Sequence, residues 1–171
     1  GFGYDILYGG LGLDYMDGGD GNDTLIGSDS IIDNDNYDVW LGGLGDDQIH
    51  ASVLKVQDAQ KIDGGEGNDT LVIDPEEGSS IHLLTVSTWQ NVSGIEVIDI
   101  TGDADDARHL YITGEDVFNI TGTDNGVLWV NGDQNDEVFL GTGPSGDNWT
   151  SGALEFINKH YYYHYTYSDP E

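Results

Sequence analysis

Glycine pairs and aspartates recur at a fixed interval of nine residues from the start of the chain, and this periodicity constrains the fold more than any other feature. Gly1 to Tyr8 is a unit lacking its first residue, and Gly9 to Asp17 and Gly18 to Ile26 are complete, so Asp5, Asp14 and Asp23 stand nine apart. After a break at residues 27–32 the pattern resumes in degenerate form from Asp33 to Leu41, with Asp38 in the aspartate slot and Asn34 and Asn36 in glycine slots. Asn tolerates left-handed backbone better than most residues. Gly42 to His50 is complete again, residues 51–63 are an insertion, and Gly64 to Val72 closes the series. A nine-residue unit cannot bury an apolar face alone, so such units must stack.

The complete units read G-G-x-G-x-D-x-U-x, with U a large apolar residue. The glycines permit positive φ and let carbonyls turn inward. The aspartate can then close on an ion together with those carbonyls. Leu7, Met16, Leu25, Trp40, Ile49 and Leu71 occupy the U slot and are expected to line a narrow core.

Charge supports the same reading. The 171 residues include 33 Asp or Glu against 4 Lys or Arg, a net charge of −29. A compact body with that charge repels itself. Its own basic residues are too few to neutralise it, which leaves metal cations or a cationic partner. Hard oxygen donors of this kind favour Ca²⁺. The charge argues against nucleic acid and against an anionic membrane surface as partners. No apolar stretch is long enough for a membrane-spanning helix. With no Cys, disulfides, thiolate zinc sites and cysteine nucleophiles are excluded.

Beyond residue 74 the chain changes character. Residues 70–74, 81–86, 95–100, 110–113, 127–131, 137–140, 153–157 and 160–167 read as short strands rich in Val, Ile, Leu, Trp and Tyr. Thr113 to Asn119 can hold one short helical turn. A soft boundary near residue 74 therefore separates residues 1–74 from residues 75–171, which are either a second module or a continuation of the first.

The repeats of residues 1–72 resemble the RTX (repeats-in-toxin) family of calcium β-rolls. That resemblance implies an all-β fold, with an N-terminal parallel β-roll running into a β-rich module that is a sandwich or a continued solenoid. It also implies several Ca²⁺ ions. Their carboxylate ligands would be Asp5, Asp14, Asp23, Asp38, Asp47 and Asp69, with carbonyls around Gly10, Gly12, Gly19, Gly21, Gly43, Gly45, Gly65 and Gly67. Residues 61–65, 92–102, 110–117 and 130–138 are similar to a module of large bacterial RTX adhesins. The chain is thus expected to be a monomeric piece of a larger exported bacterial protein, acting at the cell surface. It would bind a peptide or glycan on a host or neighbouring cell; the alternative is a non-binding structural or secretion module of a toxin or hydrolase.

Asp133, Gln134, Asn135 and Asp136 form a loop between two expected strands. It is either a partial Ca²⁺ or ligand site or a polar hairpin turn. Asp103, Asp105 and Asp106 form a similar acidic turn. The tract from His160 to Tyr167 suits an edge strand or an aromatic binding wall. No H-E-x-x-H or G-x-S-x-G pattern occurs, so no enzymatic activity is expected.

Overall fold

The computed structural model describes residues 1–27, 37–74, 81–84, 86–102, 107–122, 127–133, 136–140, 148–151, 155–157 and 160–168. Through the repeats the strands alternate between two parallel sheets. β1 (Ile6–Tyr8), β3 (Thr24–Ile26), β5 (Gln48–Ser52) and β7 (Thr70–Asp74) lie side by side in sheet one. β2 (Tyr15–Asp20), β4 (Val39–Leu44) and β6 (Lys61–Glu66) lie side by side in sheet two. Glycine turns join β1 to β2, β2 to β3, β4 to β5 and β6 to β7, whereas the insertion lies between β5 and β6 and supplies the start of β6, including Ile62.

This alternation sets the core. A parallel ladder in strict register places the same slot of each unit above its counterpart. Leu7, Leu25, Ile49 and Leu71 align across sheet one, and Met16, Trp40 and Ile62 align across sheet two. Both columns belong to one buried cluster, with Leu7 packed at its margin. Burial alternates along β4 and β7, as a strand with one inward face requires.

The parallel pattern does not end at residue 74. β9 (Val92–Ser93) extends sheet two, placing Val92 beside Ile62. β10 (Val97–Asp99) and β12 (Val127–Gly132) extend sheet one, placing Ile98 and Val130 in the Leu71 column. β8 (Ile81–Leu84), β11 (Ala107–Ile112) and β13 (Glu137–Leu140) form a third parallel sheet. β16 (His160–Ser168) then pairs antiparallel with β12. β14 (Asn148–Ser151) and β15 (Glu155–Ile157) pair antiparallel with β16. The Tyr-rich tract is therefore a strand that closes the parallel run.

The fold is mostly β and not all-β as expected, since helices interrupt it. In the 51–63 insertion, α1 (Val53–Asp58) starts at Ser52, whose hydroxyl accepts from the Lys55 N–H at 3.4 Å, and buries Val53 and Val56. A 3-10 turn covers Val86–Asn91. α2 (Gly114–Thr121) lies where the sequence allows a helical turn. It is held by a reciprocal cap between Thr113 and Asp116 and closed by Gly122 in the left-handed region. Its buried Val117 and Ile120 explain why so short a helix persists.

Gly10, Gly12, Gly19, Gly21, Gly43, Gly45, Gly65 and Gly67 all have positive φ. At Gly43 the requirement is double: φ is 119°, and a Cβ would collide with the Gly19 carbonyl one rung away, whose carbon would lie at 3.0 Å. Gly12 shares the handedness (φ 110°) but has nothing within 4 Å of that position. Gly43→Ala is expected to cost about 3 kcal/mol or more, against about 1 kcal/mol for Gly12→Ala. Thermal melts of both variants would check this, and equal losses would show that backbone conformation alone sets the cost.

Candidate metal centre

The register that builds the core also builds a column of carboxylates. Asp5, Asp23, Asp47 and Asp69 immediately precede β1, β3, β5 and β7, one per rung. Each backbone N–H in the column donates to the next carboxylate: Asp5 to Asp23 Oδ1 at 2.8 Å, Asp23 to Asp47 Oδ1 at 2.7 Å, and Asp47 to Asp69 Oδ1 at 2.8 Å. The Asp69 N–H continues the series, donating to Glu96 Oε2 at 2.8 Å. One oxygen of each carboxylate is thereby fixed by the backbone of the neighbouring rung.

The second oxygen is not satisfied. Asp23, Asp47 and Asp69 are 1%, 1% and 0% exposed, and among the described residues no donor reaches their Oδ2 atoms. Leaving such an atom buried and unpaired carries a desolvation cost of several kcal/mol for a charged group. The local packing shows what these oxygens face. A Cβ on Gly18 would meet both Asp23 Oδ2 and the Gly42 carbonyl oxygen, the latter at 2.6 Å. The same point on Gly42 meets Asp47 Oδ2 and the Gly64 carbonyl oxygen. On Gly64 it meets Asp69 Oδ2, at 2.7 Å, and the Gly94 carbonyl oxygen. A carboxylate oxygen and a carbonyl oxygen from the next rung thus converge beside each leading glycine. Hard oxygens crowded together without a proton donor are the donor set of a divalent cation such as Ca²⁺.

The electrostatics agree. Burial, the largest effect, raises the Asp47 carboxyl above its ordinary range, and the charges of Asp23 and Asp46 push it further. Burial with the charges of Asp47, Glu96 and Asp46 raises Asp69 to about 7. Burial likewise raises Glu96. A cation would reverse each of these shifts.

The other column differs. The Asp14 N–H donates to Asp38 Oδ1 at 3.0 Å, repeating the pattern. Asp38 Oδ2, however, accepts from the Lys55 ammonium at 3.2 Å. The next register position on this side is Gln60, whose N–H donates to the Asp38 carbonyl at 2.9 Å, so the acidic column ends there.

Three participants are not evident from the repeats. Glu96 takes the aspartate slot of a fifth rung, and Glu96-Val97-Ile98 is a weak echo of the D-x-U pattern, with Gly94 just before it at φ 61°. The α2 segment supports this rung, since the Ile120 carbonyl accepts from the Ile95 N–H at 3.0 Å. The carbonyls beside the orphaned oxygens belong to Gly42, Gly64 and Gly94, the first two one position before the glycines singled out by spacing. An outer ladder also runs beside the column. Asn22 Oδ1 accepts from the Asp46 N–H at 3.1 Å, and Asp46 Oδ1 accepts from the Asn68 N–H at 3.0 Å.

Asp133 and Asp136 are hydrogen-bonded to each other, and Asp136 also to β11. Asp136 Oδ1 accepts from the Arg108 N–H of β11 at 2.9 Å, and Oδ2 accepts from the Asp133 N–H at 2.7 Å. Gln134, Asn135, Asp103 and Asp105 lie outside the described residues. Among the described residues no three His, Asp or Glu side chains converge as a metal cluster. The donor set above instead combines single carboxylates from successive rungs with backbone carbonyls. No family model matches the chain, and no curated protein or solved structure matches it.

Proposed function

We propose that this chain is a calcium-folded β-roll of the RTX type, an exported module whose stack is held together by Ca²⁺ along the Asp23–Asp47–Asp69 column. One observation carries the reading: three fully buried aspartate oxygens, in register, each beside a glycine carbonyl and with no donor among the described residues. Bound Ca²⁺ would supply the positive charge that lets these carboxylates stay ionised in the interior. Asp23, Asp47, Asp69 and Glu96 would contribute the charge, and the carbonyls of Gly42, Gly64 and Gly94 would complete the oxygen set. Extracellular Ca²⁺ modules bind at about 10⁻⁴ to 10⁻³ M. Such a chain stays loose in a calcium-poor cytosol and folds after export.

Within that reading the module serves as part of an adhesin that holds a peptide or glycan on a neighbouring surface. The third sheet offers a surface suited to this. Tyr111 stacks on Phe139 at 4.6 Å with 11° between the rings, and His109 meets Phe139 edge-on at 5.5 Å, with Glu137 beside it. Stacked rings flanked by polar groups give contact area at low entropy cost. A purely structural role would leave this surface without a ligand.

Circular dichroism and thermal melting in calcium and in excess EDTA test the folding claim. The expected result is a cooperative transition in calcium and a largely unfolded spectrum after chelation; identical folded spectra would refute it. Glycan and peptide arrays probed in both conditions separate adhesion from a structural role. Calcium-dependent capture supports the adhesin, and silence on both arrays supports the structural module.

A further inference from the structure

The rung at Asp38 has the same backbone logic as those at Asp23, Asp47 and Asp69. Its Oδ1 accepts from the aspartate N–H of the preceding rung, and the residue is 3% exposed. What differs is the second oxygen. At Asp23, Asp47 and Asp69 no donor among the described residues reaches it, whereas at Asp38 it meets the Lys55 ammonium at 3.2 Å. Lys55 is itself only 7% exposed and comes from α1, inside the insertion that interrupts the repeats. The sequence of this unit departs from the pattern in the same place. Residues 33–36 read Asp-Asn-Asp-Asn where a complete unit has Gly-Gly-x-Gly, and Gln60 replaces the next acidic residue.

We infer that the Lys55 ammonium is the resident cation of the Asp38 rung: it occupies the position that a divalent ion takes in the other column, so this rung binds no metal while the lysine is present. The inference rests on the calcium reading above and extends it to the insertion. A buried lysine is costly unless paired, and so is a buried aspartate; together they satisfy each other without an external ion. A primary ammonium supplies the charge and up to three donors, but it cannot leave when calcium is scarce. The two sides of the stack would therefore differ in kind. The Asp23 side is ion-dependent, and the Asp38 side is permanently neutralised. The insertion would give the stack a segment that holds together before calcium arrives.

Calorimetric titration with CaCl₂ tests this on the whole chain as wild type, Lys55→Met, and the double variant Asp38→Asn/Lys55→Met. Lys55→Met is expected to bind one more calcium than wild type and to melt at lower temperature in EDTA, with the loss recovered by calcium. The double variant removes both charges, and it should return to the wild-type ion count and regain most of the metal-free stability. A Lys55→Met chain with the wild-type ion count would overturn the inference. If Lys55→Met does not fold at all, folding of the double variant supports the counter-ion role, and failure of both overturns it. A wild-type chain that binds no calcium would sink the broader reading and this one with it, a result distinct from an unchanged count between two calcium-binding chains.

Discussion

Asp69→Asn is expected to change stability in opposite directions with and without calcium. The substitution keeps the carbonyl-type oxygen that accepts from the Asp47 N–H at 2.8 Å. It replaces the orphaned Oδ2 with an amide that can donate, in a place where the Gly94 carbonyl lies close by. In EDTA the variant therefore loses a buried unpaired charge and gains a hydrogen bond, a stabilisation of about 2 kcal/mol or more. In calcium it loses a charged ligand, and the calcium midpoint should rise roughly tenfold or more. Asp47→Asn should behave in the same way, because Asp47 has the same partners one rung earlier. Urea unfolding of both variants in the two conditions measures the effect. A loss of stability in both conditions would mean that these aspartates are structural hydrogen-bond acceptors with no cation to serve.

The core and the principal carboxylate column could be read from spacing because one period governs both. Once Asp5 and Asp23 are in register, Leu7 and Leu25 must be too, and the same argument carries to Ile49 and Leu71. What escaped the reading lies where the interval drifts. Successive partners in the column are 18, 24 and 22 residues apart, but Asp69 and Glu96 are separated by 27, with no glycine pair to mark the unit. A glutamate reaches one bond further than an aspartate, and this lets it serve a rung whose backbone is less regular. α1 was hidden for a different reason. Six residues are too few to show a helical period, and the helix depends on its packing through Val53 and Val56 and on the Ser52 cap. The Lys55–Asp38 pair is a long-range contact between an insertion and a repeat, which no local pattern encodes. The antiparallel return of β16 is similar: strand propensity marks His160 to Tyr167 as extended, but the direction of pairing is decided by where the chain re-enters the sheet.

Acidification should stabilise the chain when calcium is absent and weaken it when calcium is present. Asp69 carries a carboxyl raised from 3.8 to about 7 in the metal-free fold, and Asp47 and Glu96 are raised by the same burial. A raised acid means that the folded chain binds a proton more tightly than the unfolded chain. The stability linked to that proton is complete below about pH 4 and is lost as the pH climbs through about 7. For Asp69 alone, which is 0% exposed, the span from 3.8 to about 7 corresponds to a loss on the order of 4 kcal/mol. With calcium bound the carboxylates are held in their charged form, so the folded state binds no extra proton above about pH 4 and that downward slope disappears. Between about pH 4 and pH 7 the metal-free chain should therefore grow less stable with rising pH, while the calcium-loaded chain stays nearly level there and loses stability only as the pH falls below about 4. Chemical denaturation across that range, once in chelator and once in saturating calcium, gives the two slopes directly. Parallel slopes would show that protons and calcium do not compete for the same oxygens, and the buried column would then have to be neutralised by some other means.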